Sequence, residues 1–352
     1  MKQLIIIQTV APAYRKNFFR FLQQKLGDNF QLYAGDSYFE ASVKTDANIT
    51  RQAVKNHYLF KRKFLFQTGI WHLLMSNAVV VMEMNPRIIS HWIFLIIRKI
   101  TGKKTVLWGH AWPRKGKRSF SDKIRHWMRL LADEIIVYTR RQQKELQKKM
   151  PRKKIKTASN ALYLQEMMQA VSASDIRNLI YVGRLSPAKK VLFLVKAFHQ
   201  AMDKIPPSAS LIIVGDGEQA QAVKAYVETH NLQNRIRLLG EIFDYQKLKN
   251  LYAEALFSVS PGYIGLSVTQ SLGFGVPMLV SRNENHSPEI EAVVEGKTAV
   301  FFETDKPEDF ARKLQEIYAR KEDWIKKREE ISVFCRKNYS VEAMAKPFLE
   351  LI

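Results

Sequence analysis

Short apolar runs alternate with longer stretches of helical periodicity along the first half of the chain. The apolar runs lie at residues 4–10, 78–82, 105–108 and 135–138, and the helical stretches lie at residues 16–26, 88–100, 122–131 and 140–149. Strands buried on both faces of a parallel sheet appear as continuous apolar runs, and the helices that cover the sheet repeat apolar residues every three to four positions. The pattern therefore predicts strand–helix units around a parallel sheet.

The second half of the chain repeats this alternation more regularly. Strands are predicted at residues 179–182, 211–214, 236–239, 256–260 and 278–280, and helices at residues 191–202, 218–229, 245–255 and 307–318. An irregular join at residues 150–178 separates the two halves. The sequence therefore predicts an α/β protein of two Rossmann-like domains, at residues 1–165 and 175–335. We expect them to face a central cleft, where ligands meet the carboxyl ends of the strands.

The composition is that of a globular protein. The 352 residues are 46% hydrophobic and 25% charged, and the chain is long enough for two domain cores. The apolar run at residues 4–10 is too short for a secretory signal, and no run approaches the roughly 20 apolar residues of a spanning helix. A single cysteine, Cys335, excludes an internal disulfide and multi-thiolate zinc sites. We therefore expect a cytoplasmic protein.

The net charge of +23 is concentrated in the first half of the chain. Residues 1–170 hold 32 lysines and arginines against 10 aspartates and glutamates, whereas the remainder is nearly neutral. A basic excess confined to one domain indicates a local anionic partner, such as an acidic membrane surface, a pyrophosphate-linked lipid or nucleic acid. The sequence argues against nucleic acid because it carries no recognisable RNA- or DNA-binding motif.

Basic and aromatic residues are mixed in three segments of the first half, at residues 58–66, 92–99 and 112–127. Such segments can lie on an anionic bilayer, with rings and aliphatic stems buried and cations at the phosphates. Each lysine or arginine contributes about 1 kcal/mol near such a surface. The alternative for residues 92–97 is the buried face of a Rossmann helix. The lysine-rich segment at residues 144–156 is interpreted as a solvated helix end and loop.

Residues 261–277, PGYIGLSVTQSLGFGVP, lie between two predicted strands. The small residues Gly265 and Ser267, with the helical pattern after them, predict a tight turn followed by a short helix. The first N–H groups of a helix lack an intrahelical partner, and the helix dipole makes this end positive. The segment is therefore either an anion-binding site or an ordinary connection from strand to helix.

Three further motifs directly follow predicted strands: GRLSPAK at residues 183–189, VGDGE at residues 214–218 and LGEI at residues 239–242. In this order and spacing, together with residues 261–277, they resemble the nucleotide-sugar domain of the family-4 glycosyltransferases of the GT-B fold. The resemblance is strong over about residues 179–317 and general over the first half. It implies that Arg184 and Lys189 bind the donor diphosphate, where fixed cations stabilise the charge of the leaving nucleotide.

The resemblance also assigns roles to neighbouring residues. Gly183 opens the motif that contains Arg184. The backbone N–H groups of the glycine-rich turn are expected to hold the same diphosphate. The nucleobase is expected beside the glycines at positions 215 and 217 and beside the backbone at positions 241 and 242. In chain order, these diphosphate and nucleobase residues are Gly215, Gly217, Glu241, Ile242, Gly265, Leu266 and Ser267.

The chain departs from the family at two positions. The family usually carries two glutamates, the second eight positions after the first, and the matching residues here are Gly262 and Gln270. Gln270 can hydrogen-bond ribose hydroxyls, but Gly262 cannot replace a carboxylate that orients the donor sugar. Either the sugar is held differently, by the polar loop at residues 283–287 or by Glu289 and Glu291, or catalysis is weakened.

In the first half, the TVAPAYR turn at residues 9–15 lacks the glycines of the family's usual loop. His110 follows the strand at residues 105–107, where the family often carries a histidine that faces the donor sugar; the alternative is a structural histidine. The other histidines lack metal-ligand spacing, and the chain has no Asp-x-Asp motif. We therefore expect no metal and no cofactor.

These features predict a retaining, metal-independent glycosyltransferase that moves a sugar from a nucleotide donor to a saccharide acceptor. By resemblance, the acceptor is lipid-linked and the product belongs to bacterial surface polysaccharide, such as lipopolysaccharide. The protein is expected to be peripheral on the inner face of the cell membrane, with its C-terminal helix (residues 338–352) packed on the first domain. Two alternatives stay open. One is a catalytically silent binding or scaffold subunit, suggested by Gly262 and Gln270, and the other is a basic nucleic-acid-binding protein.

Overall fold

The chain folds into two units, each built on its own parallel sheet. The computed structural model describes residues 2–41, 43–113 and 116–352. The first unit comprises Met1–Leu162 and Val341–Ile352, and the second comprises Tyr163–Ser340. Within these described ranges, no helix is both long enough and apolar enough to cross a membrane.

The first unit is built on a parallel sheet. Its strands are β1 (Leu4–Gln8), β2 (Phe30–Ala34), β3 (Gln52–Ala53), β6 (Val79–Glu83), β7 (Thr105–Trp108), β8 (Glu134–Val137) and β9 (Lys154–Thr157), and β4 (Lys55–Leu59) and β5 (Phe64–Thr68) form a separate antiparallel hairpin. The seven sheet strands follow the order β3-β2-β1-β6-β7-β8-β9. β1 is buried along its whole length because helices cover both faces of such a sheet.

Five α-helices cover the first sheet within the described part of this unit. They are α1 (Lys16–Leu26), α2 (Ile89–Ile100), α3 (Phe120–Leu131), α4 (Arg140–Lys149) and, from the end of the chain, α12 (Val341–Leu349). The ring of Phe348 on α12 lies 5.1 Å from the ring of Phe18 and 4.9 Å from that of Trp108. The C-terminal helix is therefore part of the first unit's core.

The second unit has a six-stranded parallel sheet. Its strands are β10 (Asn178–Val182), β11 (Leu211–Val214), β12 (Ile236–Leu238), β13 (Ala255–Ser260), β14 (Met278–Ser281) and β15 (Ala299–Phe302), and its helices are α5 (Val191–Ala201), α6 (Ala220–Thr229), α7 (Tyr245–Glu254), α8 (Ser267–Gly273), α9 (Pro307–Ala319), α10 (Lys321–Lys326) and α11 (Arg328–Tyr339). The strand order is β12-β11-β10-β13-β14-β15. Apolar side chains of β10, β11 and β13 pack with those of α5 and α9 in one core.

The predicted α/β architecture with parallel sheets is confirmed, and the apolar runs named above all form strands. The sequence pattern missed β2, β3, β4, β5, β9 and β15. The predicted irregular join at residues 150–178 is wrong at its start, because β9 lies within it and pairs with β8. β9 escaped notice because its sequence, KIKT, has one apolar residue, which is buried between exposed or half-buried neighbours. The basic and aromatic segment at residues 58–66 belongs to the β4–β5 hairpin.

Candidate functional site

The strand order of the second sheet reverses between β10 and β13, which are neighbours although β11 and β12 come between them in the chain. At such a point the connections leave toward opposite sides, and open α/β sheets bind ligands in the crevice that this creates at the carboxyl ends of the strands. The GRLSPAK motif follows β10, and the glycine-rich segment follows β13. The topology therefore brings the two predicted donor-binding segments together.

Lys189 connects these two segments. It ends a short 3-10 turn, Pro187–Lys189, and its Nζ donates a hydrogen bond to the carbonyl oxygen of Tyr263 at 2.7 Å. The same ammonium lies 4.9 Å from the centre of the Tyr263 ring. A Cβ placed on Gly265 would be 3.8 Å from it. The structure thus sets a lysine ammonium beside the turn that precedes α8.

The charges around Lys189 favour an anionic ligand. Burial lowers the pKa of Lys189 to about 8, the Glu289 carboxylate opposes this shift, and the Arg184 guanidinium adds to it. Arg184 is exposed, whereas Glu289 is 5% exposed and accepts a hydrogen bond from the Ser287 hydroxyl. Two cations and one buried carboxylate therefore lie near one another, and their summed charge is positive when Lys189 is protonated.

The loops after β10, β11 and β12 are joined backbone to backbone. Leu185 donates its N–H to the carbonyl oxygen of Asp216 at 2.8 Å, and Gly215 donates to that of Gly240 at 2.7 Å. Gly215 has φ +140°, and a Cβ there would lie 1.9 Å from the carbonyl oxygen of Gly183. No side chain fits at Gly215 because the neighbouring loop passes directly against it.

The residues predicted beside the nucleobase lie around this junction. Gly217 has the same close fit, since a Cβ there would be 2.7 Å from the carbonyl oxygen of Leu185. Glu241 is exposed and Ile242 is half-buried in the loop that joins β12 to α7. Gly215 and Gly217 are required as glycines because the loop after β10 packs directly against both of them. Their contact with a nucleobase stays a prediction.

Gly262 is a glycine because another part of the chain fills the space beside it. A Cβ on Gly262 would lie 2.4 Å from the carbonyl oxygen of Ala188 and 2.8 Å from the carbonyl carbon of Lys189. The next residue, Tyr263, donates its N–H to the same Ala188 oxygen at 2.8 Å. The loop that carries Lys189 therefore occupies the space that a glutamate side chain would need in order to leave the backbone.

Gln270 is held inside the second unit by two tyrosines. It is 6% exposed. Its Nε2 donates to the hydroxyl of Tyr163 at 2.7 Å, and its Oε1 accepts from the hydroxyl of Tyr252 at 3.3 Å. Burial raises the pKa of both tyrosines, so both hydroxyls keep their protons at neutral pH. The predicted contact of Gln270 with a ribose stays a prediction, and it would compete with these bonds.

The polar loop at residues 283–287 is tied to the glycine-rich turn. His286 donates from Nε2 to the carbonyl oxygen of Ser281 at 2.9 Å, and its Nδ1 accepts the N–H of Ile264 at 3.3 Å. Burial lowers the pKa of His286, which keeps the imidazole neutral and able to accept. Glu284 binds the Nζ of Lys190 at 2.7 Å. The support that His286 gives to the turn was not predicted from the sequence of this loop.

A second polar cluster lies at the corresponding point of the first sheet, where β1 and β6 are neighbours. The Glu83 carboxylate accepts the N–H of Thr9 at 2.7 Å and its hydroxyl at 2.9 Å. Arg15 donates to the side-chain oxygen of Gln8 at 2.7 Å and to the hydroxyl of Tyr138 at 3.0 Å. Burial raises the pKa of Glu83. A half-buried carboxylate and a buried guanidinium therefore lie at the carboxyl edge of this sheet.

His110 borders this cluster. Its ring is exposed and meets the Tyr138 ring edge-on, with 4.7 Å between centroids. The Arg15 guanidinium lies 4.3 Å from the centre of the Trp108 ring, a cation–π contact. Glu83 was not predicted as a site residue, although it directly follows the apolar run at residues 78–82 and ends β6. Among the described residues, no group of three acidic, histidine or cysteine side chains could hold a metal ion.

Comparisons with solved structures identify the architecture. HepE of Anabaena, solved with UDP, matches with a TM-score of 0.72 at 14% identity, over 100% of this chain and 99% of HepE. This is the GT-B glycosyltransferase fold. TarM shares it with a TM-score of 0.68 at 10% identity, over 100% of this chain and 98% of TarM. The lipopolysaccharide outer core galactosyltransferase WaaB shares it with a TM-score of 0.66 at 15% identity, over 99% and 98% of the two chains.

Sequence comparison finds similarity over part of the chain. Residues 165–337, most of the second unit, match the model of the family described as glycosyl transferases group 1. An uncharacterized glycosyltransferase of Methanocaldococcus jannaschii is 30% identical over 162 residues, which cover 42% of this chain. The match spans 39% of the relative, about two fifths of its length. The family match therefore covers the part of the chain that carries Arg184 and Lys189.

Proposed function

We propose that the protein transfers a sugar from a nucleotide-sugar donor to a saccharide acceptor. The observation that carries the proposal is the Lys189 ammonium, held beside the glycine-rich turn at the point where the second sheet reverses. The similarity of residues 165–337 to group 1 glycosyl transferases supports it. HepE has been solved with UDP-glucose, so a uridine nucleotide is the first donor to test.

The proposed chemistry is stabilisation of a leaving group. Cleavage of the bond between sugar and phosphate leaves a nucleoside diphosphate whose negative charge grows in the transition state. We propose that Arg184 and Lys189 meet that charge, Arg184 with two donors and Lys189 as a point charge. The N–H groups of Gly265, Leu266 and Ser267 complete the proposed diphosphate site. From the resemblance to the family-4 enzymes we propose a retaining reaction, and with Arg184 and Lys189 compensating the charge we propose that it is metal-independent.

The acceptor is assigned to the first unit. Glu83, Arg15 and His110 supply a carboxylate, a guanidinium and an imidazole at the edge of the first sheet, a set that suits hydroxyl groups of a saccharide. The basic excess of residues 1–170 suits a pyrophosphate-linked lipid carrier. We propose a lipid-linked acceptor of bacterial surface polysaccharide synthesis, such as lipopolysaccharide. The enzyme would act from the cytoplasm as a peripheral protein on the inner face of the membrane.

A thermal-shift panel of UDP, GDP, dTDP and CMP tests the donor site. A ligand at 100 times its dissociation constant adds about 2.7 kcal/mol to the free energy of unfolding, which corresponds to roughly 5–10 °C for a unit of this size. We expect one nucleotide to stabilise the wild type and to have a much smaller effect on Lys189→Ala. If no nucleotide or nucleotide-sugar shifts the wild type, the scaffold alternative is favoured, since Gly262 and Gln270 then have purely structural roles.

The lowered pKa of Lys189 predicts that donor affinity depends on pH. The protonated amine binds a diphosphate and the neutral amine does not, so affinity should fall as pH rises through about 8, by up to about tenfold for each further pH unit. Titration calorimetry with the nucleoside diphosphate between pH 6.5 and 9.5 measures this. In Lys189→Arg the guanidinium stays protonated, and the profile should be flatter. A flat profile for the wild type would contradict the assignment of Lys189 to the diphosphate.

A further inference from the structure

We propose that the outer faces of α2 and α3 form a docking surface for an anionic lipid bilayer. The proposal names the membrane contact of the function proposed above and rests on that function for its purpose. The physical evidence is independent of donor binding. It consists of two neighbouring helices that expose large apolar residues and bury the charged residues Arg98, Asp122 and Arg129.

The exposed face of α3 carries large apolar residues, whereas an ordinary surface helix exposes polar ones. Its exposed stripe consists of apolar residues, which are Phe120 (76% exposed), Ile124 (37%), Trp127 (66%) and Leu130 (43%). Positions i, i+4, i+7 and i+10 lie on one face of a helix. Single exposed apolar residues are common, but a continuous stripe of large ones marks an interaction surface.

The opposite face of α3 carries charge that is buried. Asp122 is 2% exposed and Arg129 is fully buried, and the two side chains form an ion pair. The second carboxylate oxygen of Asp122 binds the Nζ of Lys149 at 2.6 Å. Since these charges are held inside, the orientation of α3 is fixed by polar bonds. Its exposed apolar face is not the accidental result of loose packing.

α2 packs beside α3 and shows the same arrangement. Ile96 is 46% exposed and Ile100 is 80% exposed. Arg98 is fully buried, and its guanidinium donates to the carbonyl oxygens of Leu73 at 2.8 Å and Ala78 at 2.7 Å. The alternative given above for residues 92–97 therefore holds for part of this helix: some of its side chains are buried, and Ile96 faces outward.

The charges near the stripe indicate what covers it. Lys123 is exposed between Phe120 and Ile124, and Arg118 is exposed just before α3. The acidic residue of α3, Asp122, is buried and paired. Apolar and aromatic side chains flanked by cations match the acyl boundary and the phosphates of an anionic leaflet. Arg114 and Lys115, in the basic segment at residues 112–127, lie outside the described residues.

Vesicle flotation of the full chain tests the proposal without any sugar donor. We expect binding to phosphatidylcholine vesicles that contain about 30% phosphatidylglycerol, and weaker binding to vesicles of phosphatidylcholine alone and at high salt. The double variant Phe120→Ser, Trp127→Ser should bind the anionic vesicles about tenfold more weakly or worse. Phe243→Ser is the matched control, because Phe243 is 85% exposed but lies in the second unit.

Bromine-labelled phospholipid provides a second measurement that locates the contact. Bromine in the acyl chains quenches a tryptophan that enters the bilayer. We expect quenching in the wild type and much less in Trp127→Phe, which should still bind. Unchanged vesicle binding by the double variant would overturn the proposal. It would also be overturned if the wild type did not bind vesicles and the double variant lost self-association, because the stripe would then contact a second copy of the chain. The thermal shift with nucleotide is measured in the same double variant. If this variant loses vesicle binding but keeps the wild-type thermal shift, the loss concerns the membrane contact and not the proposed transferase function.

Discussion

Replacing Lys189 with alanine is expected to lower the rate of sugar transfer by about 100- to 1000-fold, which is about 2.7–4 kcal/mol of transition-state stabilisation. The ammonium is already held by the carbonyl oxygen of Tyr263 at 2.7 Å, so no reorganisation is needed when charge develops on the diphosphate. The loss should appear mainly in kcat, because the interaction strengthens as the sugar–phosphate bond breaks. Steady-state kinetics with the donor identified by thermal shift measure it.

The adjacent residue is a matched control. The Nζ of Lys190 binds Glu284 at 2.7 Å and Asp305 at 2.8 Å. Burial acts to lower the pKa of Lys190, but its hydrogen bonds to Asp305 and Glu284 outweigh this effect and raise it. The charge of Lys190 is therefore already compensated within the protein. Lys190→Ala should change kcat less than about fivefold. An equal loss of kcat in Lys189→Ala and Lys190→Ala would show that the conformation of this loop, and not the Lys189 charge, determines the rate.

Much of the candidate site could be predicted from the chain because of a rule of parallel sheets. Residues that follow successive parallel strands share one edge of the sheet, so GRLSPAK and the segment at residues 261–277 had to lie near each other once their strands were recognised. The strands were recognisable because burial on both faces makes them continuously apolar. The meeting of Lys189 with the turn at Gly265 follows from the same rule and from the reversal between β10 and β13.

Other features depend on packing that the sequence does not display. Nothing in the sequence shows that the backbone at Ala188 passes 2.4 Å from where a Gly262 Cβ would lie. The two tyrosines that hold Gln270 come from distant parts of the second unit. Periodicity shows that α3 has an apolar stripe but not which way it faces, since Asp122 and Arg129 bury their charge only by pairing. Contacts between side chains far apart in the chain decide each of these cases.

Gly262→Ala is expected to destabilise the protein by about 1–3 kcal/mol, the usual cost of overpacking a filled site. The added methyl would meet the carbonyl oxygen of Ala188 and the carbonyl carbon of Lys189, and both are backbone atoms that cannot rotate away. The loop must move as a whole, which would carry the Lys189 ammonium from its place at Tyr263. For a unit of this size the melting temperature should fall by roughly 3–10 °C, measured by circular dichroism or calorimetry.

Gly265→Ala separates the effect of a clash from that of losing a glycine. Its added Cβ would lie 3.8 Å from the Nζ of Lys189, an ordinary contact distance. The melting temperature of this variant should therefore stay close to that of the wild type, while nucleotide binding weakens because the methyl narrows the proposed diphosphate site. Equal melting temperatures for both variants would contradict the packing explanation of Gly262. The missing glutamate at that position would then call for a functional explanation, such as a donor whose sugar does not need it.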